Sequence, residues 1–128
     1  MALKISLIAV ALLIAAGLAF YLLTTSVTFS ASDLPDHVPD AANGKTMFIA
    51  GGCAECHAVP AKACESLDIE DETRLAGGRC LKTDVGTFYV PNISPDKESG
   101  IGGWSTLDFV NAMKRGVAPG GVHLYPAF

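Results

Sequence analysis

The chain has 128 residues, half of them hydrophobic, a mean hydropathy of +0.37 and a formal net charge of −4. That hydropathy is too high for an ordinary soluble domain, so the apolar residues must be concentrated in one place. The acidic balance excludes a basic nucleic-acid footprint, and the length excludes a TIM barrel or a full dinucleotide-binding domain.

The concentration lies at the N-terminus, where no charged residue occurs from Ile5 to Ser32. At about 1.5 Å per residue, a helix over Ile5–Leu23 spans the hydrocarbon layer of roughly 30 Å, with Tyr21 near its far boundary. Lys4 precedes the run and Asp33, Asp36 and Asp40 follow it. The positive-inside rule then puts the N-terminus in the cytoplasm and the chain after Ser32 on the periplasmic side of the inner membrane. Residues 1–32 read as a membrane anchor or a secretory signal; Ser30-Ala31-Ser32 offers a small-x-small cleavage site, while the length of the apolar run favours the anchor. A buried core helix is excluded, because roughly 95 remaining residues cannot cover a helix that is apolar on every side. Those residues, 33–128, suffice for one domain.

Pro35 and Pro39 make Ser32–Asp40 a stiff extended tether, with His37 a solvated side chain within it. Asp40 is placed to cap a helix over Ala41–Ala50, to which Met47, Phe48 and Ile49 give apolar contact and which Gly51-Gly52 ends. Next comes Cys53-Ala54-Glu55-Cys56-His57, a C-x-x-C-H sequence. Two thiols three residues apart can each add to a vinyl group of haem, and the following imidazole then reaches the iron. A C-x-x-C pair alone also serves thiol–disulfide exchange or zinc. Export to an oxidising compartment and the helix–Gly-Gly–C-x-x-C-H order favour one covalent haem c, held by Cys53 and Cys56 with His57 as iron ligand.

Glu65, Asp68, Glu70, Asp71 and Glu72 form an acidic cluster, read as a solvated face or insert loop. Cys64 and Cys80 are positioned to close that insert as a disulfide contributing about 3 kcal/mol. The alternatives are two unrelated thiols, or a four-thiolate zinc site of Cys53, Cys56, Cys64 and Cys80 that would leave His57 unexplained. Ala76–Val90 is either a short extended pair or loop. Pro91, Pro95 and Gly100–Gly103 argue against regular structure. Ser105 caps a second helix with Asp108 at its third position; Leu107, Val110 and Met113 share a face, Lys114 and Arg115 occupy the last turn, and Gly116 terminates it.

From Leu34 onward a series of motifs occurs in order: Asn43-Gly44, Gly51–His57, Tyr89–Asp96, Gly100–Ser105, Asp108-Phe109, Gly116 and Leu124–Ala127. Together they resemble the haem modules of bacterial membrane-associated cytochrome c proteins, including the cytochrome subunits of alcohol, aldehyde and gluconate dehydrogenases. The resemblance implies a mainly α, class I cytochrome c fold after one transmembrane helix. It implies a single-electron carrier rather than a stand-alone enzyme, with a dehydrogenase, quinol oxidase or another cytochrome as partner. It also suggests that Pro91–Asp96 and Trp104 line the haem edge, although ordinary core packing explains Trp104 equally well.

A six-coordinate haem needs a second axial ligand, most often Met in this fold. Met47 and Met113 read as core gap-fillers, and His123, between glycines and prolines, as a polar surface group. Resembling modules have Met where Phe128 stands and continue into a C-terminal helix. The distal ligand is therefore expected beyond Phe128, together with that helix. Two other functions are open: a five-coordinate haem that senses or reacts with a diatomic gas or peroxide, and a thiol–disulfide oxidoreductase using Cys53 and Cys56.

Overall fold

The computed structural model describes residues 2–64, 69–71 and 74–127. Most of the acidic cluster (Glu65, Asp68, Glu72 and the side chain of Glu70) and Phe128 lie outside the described residues. The first helix, α1, runs Ala2–Thr24 and from Ile5 onward leaves its leucines, isoleucines and Phe20 exposed. Among the described residues it is the one helix long and apolar enough to cross a membrane. Two hydroxyls close its C-terminal end: Thr24 Oγ1 donates to the Phe20 carbonyl at 2.8 Å and Thr25 Oγ1 to that of Tyr21 at 2.7 Å. The Tyr21 carbonyl also accepts from the Thr25 amide at 3.0 Å, so its hydroxyl bond is a second one at the frayed end of the helix. Ser30 then opens a short 3-10 turn, Ala31–Asp33, ahead of the two prolines.

Helix α2, Ala41–Ala50, begins where its cap dictates: Asp40 Oδ1 accepts from the amides of Ala42 and Asn43 at 2.9 and 3.1 Å. It packs against α3, Cys53–His57, across Gly51-Gly52. No α2 residue is buried, and Met47 is 57% exposed. The expectation that Met47 fills the core is therefore corrected: its side chain is mostly exposed on a helix with no buried residue.

Among the described residues six short strands follow, in three antiparallel pairs. β1 (Val59–Pro60) pairs with β2 (Ile69–Asp71), β3 (Cys80–Thr83) with β4 (Gly86–Tyr89), and β5 (Val117–Ala118) with β6 (Val122–His123) around a 3-10 turn at Pro119–Gly121. The Ala76–Val90 stretch thus holds an extended pair, in register Cys80↔Tyr89 through Thr83↔Gly86, with Asp84-Val85 at the tip. Threonine and aromatic residues on either side of a two-residue loop suit a hairpin. Residues 91–103 form no helix or strand, as their prolines and glycines indicated. The molecule is accordingly mixed helix and strand, so the mainly α expectation is met only in part. The insert after α3 lacks helical periodicity, and a bond between Cys64 and Cys80, Cα atoms 4.7 Å apart, ties it to β3. That bond also removes the four-thiolate zinc reading.

Helix α4, Thr106–Arg115, carries the predicted capping box: Ser105 Oγ accepts from the Asp108 amide at 3.1 Å, and the Asp108 carboxylate accepts from the Ser105 amide at 2.9 Å. Gly116, at φ +63°, ends it. Its buried residues are Asn111 and Ala112, while Leu107 and Val110 are half-buried and Met113 is 51% exposed. Met113 is thus not a core residue either. The inward face is centred on Asn111 and Ala112, because β5 and Phe29 pack there. The buried hydrophobic residues are small ones, Ala58, Val90, Ala112 and Val117. The ring of Phe88 on β4 stacks on Tyr125 with centroids 3.9 Å apart, which ties the hairpin to the end of the described chain.

With so small a core, local devices carry much of the stability. Ser105→Ala is expected to cost about 1 kcal/mol in thermal or urea unfolding. The Ser105 hydroxyl and amide hold the Asp108 carboxyl below its ordinary value of 3.8. A depressed carboxylate stabilises above its unfolded value and loses that contribution as pH falls through the lower folded one. The deficit of Ser105→Ala should therefore shrink in melts repeated below pH 3.8. Replacing both Cys64 and Cys80 by serine should lower stability by about 3 kcal/mol in the same assay.

Candidate cofactor-attachment site

Gly52, at φ +61°, turns the chain out of α2 so that α3 starts at once with Cys53. This left-handed conformation strains any residue with a side chain, and a Cβ would stand 3.3 Å from the Glu55 carboxyl. On the single turn of α3 the Cys53 and Cys56 thiols are both free, Cys53 half-buried and Cys56 exposed. The other two cysteines, Cys64 and Cys80, are bonded to each other.

His57 closes the same turn, with Nδ1 2.8 Å from the Pro91 carbonyl oxygen. A carbonyl only accepts, so Nδ1 carries the hydrogen, and Nε2 is the nitrogen whose lone pair a neutral ring would present. This is the tautomer a metal-ligating histidine needs, and the bond fixes the ring's orientation. The two partners are 34 positions apart, and a backbone ladder joins them. The Gly77 amide donates to the His57 carbonyl (2.9 Å), the Gly78 amide to Val90 (2.9 Å), the Val90 amide to Arg79 (2.8 Å) and the Ile93 amide to Leu75 (2.9 Å). Gly77 is buried at φ +68°, where a Cβ would overlap the Val90 oxygen and lie 2.6 Å from the Pro91 carbonyl carbon. The glycine lets the two segments approach closely enough for Pro91 to reach His57. Sequence reasoning missed Gly77; the Gly77-Gly78 pair ahead of Cys80 was its available signal.

Beyond Pro91 the loop is held by its own side chains. Asn92 Oδ1 accepts from the Ser94 amide at 2.8 Å, and Asn92 Nδ2 donates to Ser99 Oγ at 3.2 Å. Asp96 Oδ1 accepts from the Ser99 amide (2.7 Å), the Ser99 hydroxyl (2.9 Å) and the Glu98 amide (3.0 Å). These bonds, that from the Ser99 amide foremost, hold the Asp96 carboxyl below its usual value. Trp104 is half-buried and lines a shallow groove with Ile101, Ser105, Thr106 and Phe109.

The structure thus brings Cys53, Cys56, His57 and Pro91 together. Met47 and Met113 stand at the surface, and His123 is exposed, its Nε2 donating to the Thr24 carbonyl at 3.1 Å. No group of three His, Cys, Asp or Glu side chains among the described residues makes a cage for a bare metal ion. Two free thiols and one oriented imidazole instead suit a group that brings its own metal and two carbons open to thiol addition. Haem c fits that donor set.

No protein-family model matches the chain. Comparison with individual proteins does find relatives, several of them named as cytochromes or cytochrome subunits. Over 120 residues, 92% of this chain and 38% of the relative, it is 43% identical to a diheme cytochrome c-type protein of Cereibacter sphaeroides. The gluconate 2-dehydrogenase cytochrome c subunit of Pantoea cypripedii is 40% identical over 84 residues, 66% of this chain and 17% of the subunit. The fructose dehydrogenase cytochrome subunit of Gluconobacter japonicus is 34% identical over 91 residues, 71% of this chain and 17% of the subunit. The likeness to cytochrome subunits of bacterial dehydrogenases, inferred from ordered motifs, is thus borne out, and the chain spans less than two fifths of the length of each of these relatives.

The role of Gly77 can be measured by comparing two glycines of similar φ. Gly77→Ala is expected to cost about 3 kcal/mol in urea unfolding, combining left-handed strain with overlap against backbone. Gly116→Ala, where a Cβ meets nothing within 4 Å, should cost only the strain, about 1 kcal/mol.

Proposed function

We propose that the chain is a membrane-tethered c-type cytochrome module that carries single electrons through one covalent haem. The observation that carries this reading is His57, its Nδ1 hydrogen spent on Pro91 and its Nε2 lone pair left for iron, on the same helical turn as two free thiols. Cys53 and Cys56 would hold the group through thioether bonds and His57 would be its proximal ligand. When bound, the haem supplies a metal that changes oxidation state by one electron. The Pro91 carbonyl keeps the imidazole in one tautomer and orientation and so helps set the potential. Covalent attachment suits a chain whose buried residues are small, since such a core would enclose a large cofactor poorly.

In this reading residues 1–32 anchor the chain in the inner membrane and residues 33–128 form the periplasmic haem domain. The distal ligand is left unassigned in this reading; among the described residues His123 Nε2 is engaged by the Thr24 carbonyl. The protein is a carrier, its partner a dehydrogenase, a quinol oxidase or another cytochrome. Relatives named as subunits of gluconate and fructose dehydrogenases favour the first. Anchoring confines carrier and partner to one surface and raises their encounter rate. The acidic net charge favours basic docking sites and rates that fall with added salt.

Expression of the chain with a haem-attachment system tests this. Intact mass under denaturing conditions should exceed the polypeptide mass by one haem, with a c-type spectrum. Cys53→Ser and Cys56→Ser should each leave a single thioether and a displaced absorption band. A protein carrying only its polypeptide mass overturns the proposal.

A further inference from the structure

The segment between α1 and the two prolines does more than connect. Phe29 lies 82 positions before Asn111, yet its amide donates to Asn111 Oδ1 at 2.6 Å and its carbonyl accepts from Asn111 Nδ2 at 3.3 Å. Asn111 is the buried polar residue of α4, 7% exposed, and this reciprocal pair uses both ends of its amide. A buried amide without partners is costly, so the match between side chain and extended backbone is a specific one. One turn further along α4, the Arg115 guanidinium sits 4.2 Å over the Phe29 ring, a cation–π contact. His123 on β6 donates to the Thr24 carbonyl at the end of α1 (3.1 Å). Next to it Gly121 comes so near Ser26 that a Cβ would lie 3.3 Å from its hydroxyl. Four separate contacts thus seat residues 24–29 on one face.

We propose that Thr24–Phe29 is a clasp docked on the face made by the C-terminal half of α4 and by β6, which keeps α1 as a permanent part of the molecule. This deepens the membrane-tethered reading and rests on it. Cleavage at Ser30-Ala31-Ser32 would remove every clasp residue and strip Asn111 of both its partners. A retained clasp also fixes geometry. The chain beyond it is held at the membrane exit of α1, with the α4–β6 face toward the bilayer, instead of swinging on the Pro35–Pro39 tether. Docking would then be selected for partners in the same membrane.

The test uses the full haem-loaded chain in detergent micelles. Hydrogen exchange is read on the 25–34 peptide, with β3–β4 amides as a folding control. The wild-type segment should be protected, and the purified protein should begin before Thr24. Asn111→Ala should speed exchange of the segment by at least about tenfold while the β3–β4 amides stay unchanged. Arg115→Gln, which leaves the Asn111 pair intact, should give a smaller acceleration. Exchange of the wild-type segment at the rate of an unstructured peptide, or a mature N-terminus after Ser32, overturns the clasp. The haem spectrum of the same samples reports separately: a protected segment in haem-free protein would refute the cytochrome reading and leave the clasp standing.

Discussion

The hydrogen bond from His57 to the Pro91 carbonyl is the constraint on which the arrangement around the cysteines depends. It joins a helical turn to a loop 34 positions away, and it selects which ring nitrogen is left to donate a lone pair. Everything between those residues bears on whether the bond can form. The amide of Gly77 grips the His57 carbonyl, the Gly78–Val90 and Arg79–Val90 pairs align the two segments, and the Asn92 and Asp96 turns hold the loop beyond. A backbone carbonyl is a more dependable partner than a side chain, because it has no rotamer to lose and cannot titrate. The insert itself is stapled through Cys64 and Cys80, so the segment carrying Gly77 starts from a fixed place.

What could be read from the residues in advance was whatever is decided locally. Asp40 before α2, and Ser105 with Asp108 at the start of α4, mark helix starts because a cap acts within three residues. Cys53–His57 was legible for the same reason, its chemistry lying in one turn. The disulfide was legible as one alternative among three, since spacing alone does not choose a partner. The places of Met47 and Met113 were not legible. Which side of a helix is buried is set by what packs on it, and for α4 that is β5 and a phenylalanine 82 positions earlier. Gly77 escaped notice because its importance arises only when Val90 and Pro91 come against it. The mainly α fold that the resemblance implied was met only in part, the insert being held by a cross-link and short hairpins rather than by helical periodicity.

The energetic character of the molecule follows from its buried residues. Alanines and valines form the described core, and stability is spread over caps, a cross-link, a stacked aromatic pair and close backbone contacts. Such a scaffold tolerates surface change but is sensitive at each fastener. Fasteners of this kind also permit a polar residue such as Asn111 to serve as a structural centre, because its pairing is complete.

The division of the four cysteines carries a consequence for how the protein is made. Four thiols can join into two bridges in three ways, and the cross-link seen here is compatible with only one of them. An oxidising compartment that paired Cys53 or Cys56 with either of the others would both strand the insert and consume a reactive sulfur. If the proposed haem attachment holds, biogenesis would require two opposite treatments on one polypeptide: Cys64 and Cys80 oxidised early, and the pair on the helical turn kept reduced until it is alkylated. By withdrawing two thiols from circulation, the first bridge narrows the remaining errors to a single one, closure of the C-x-x-C pair upon itself, which a dedicated reductant can reverse.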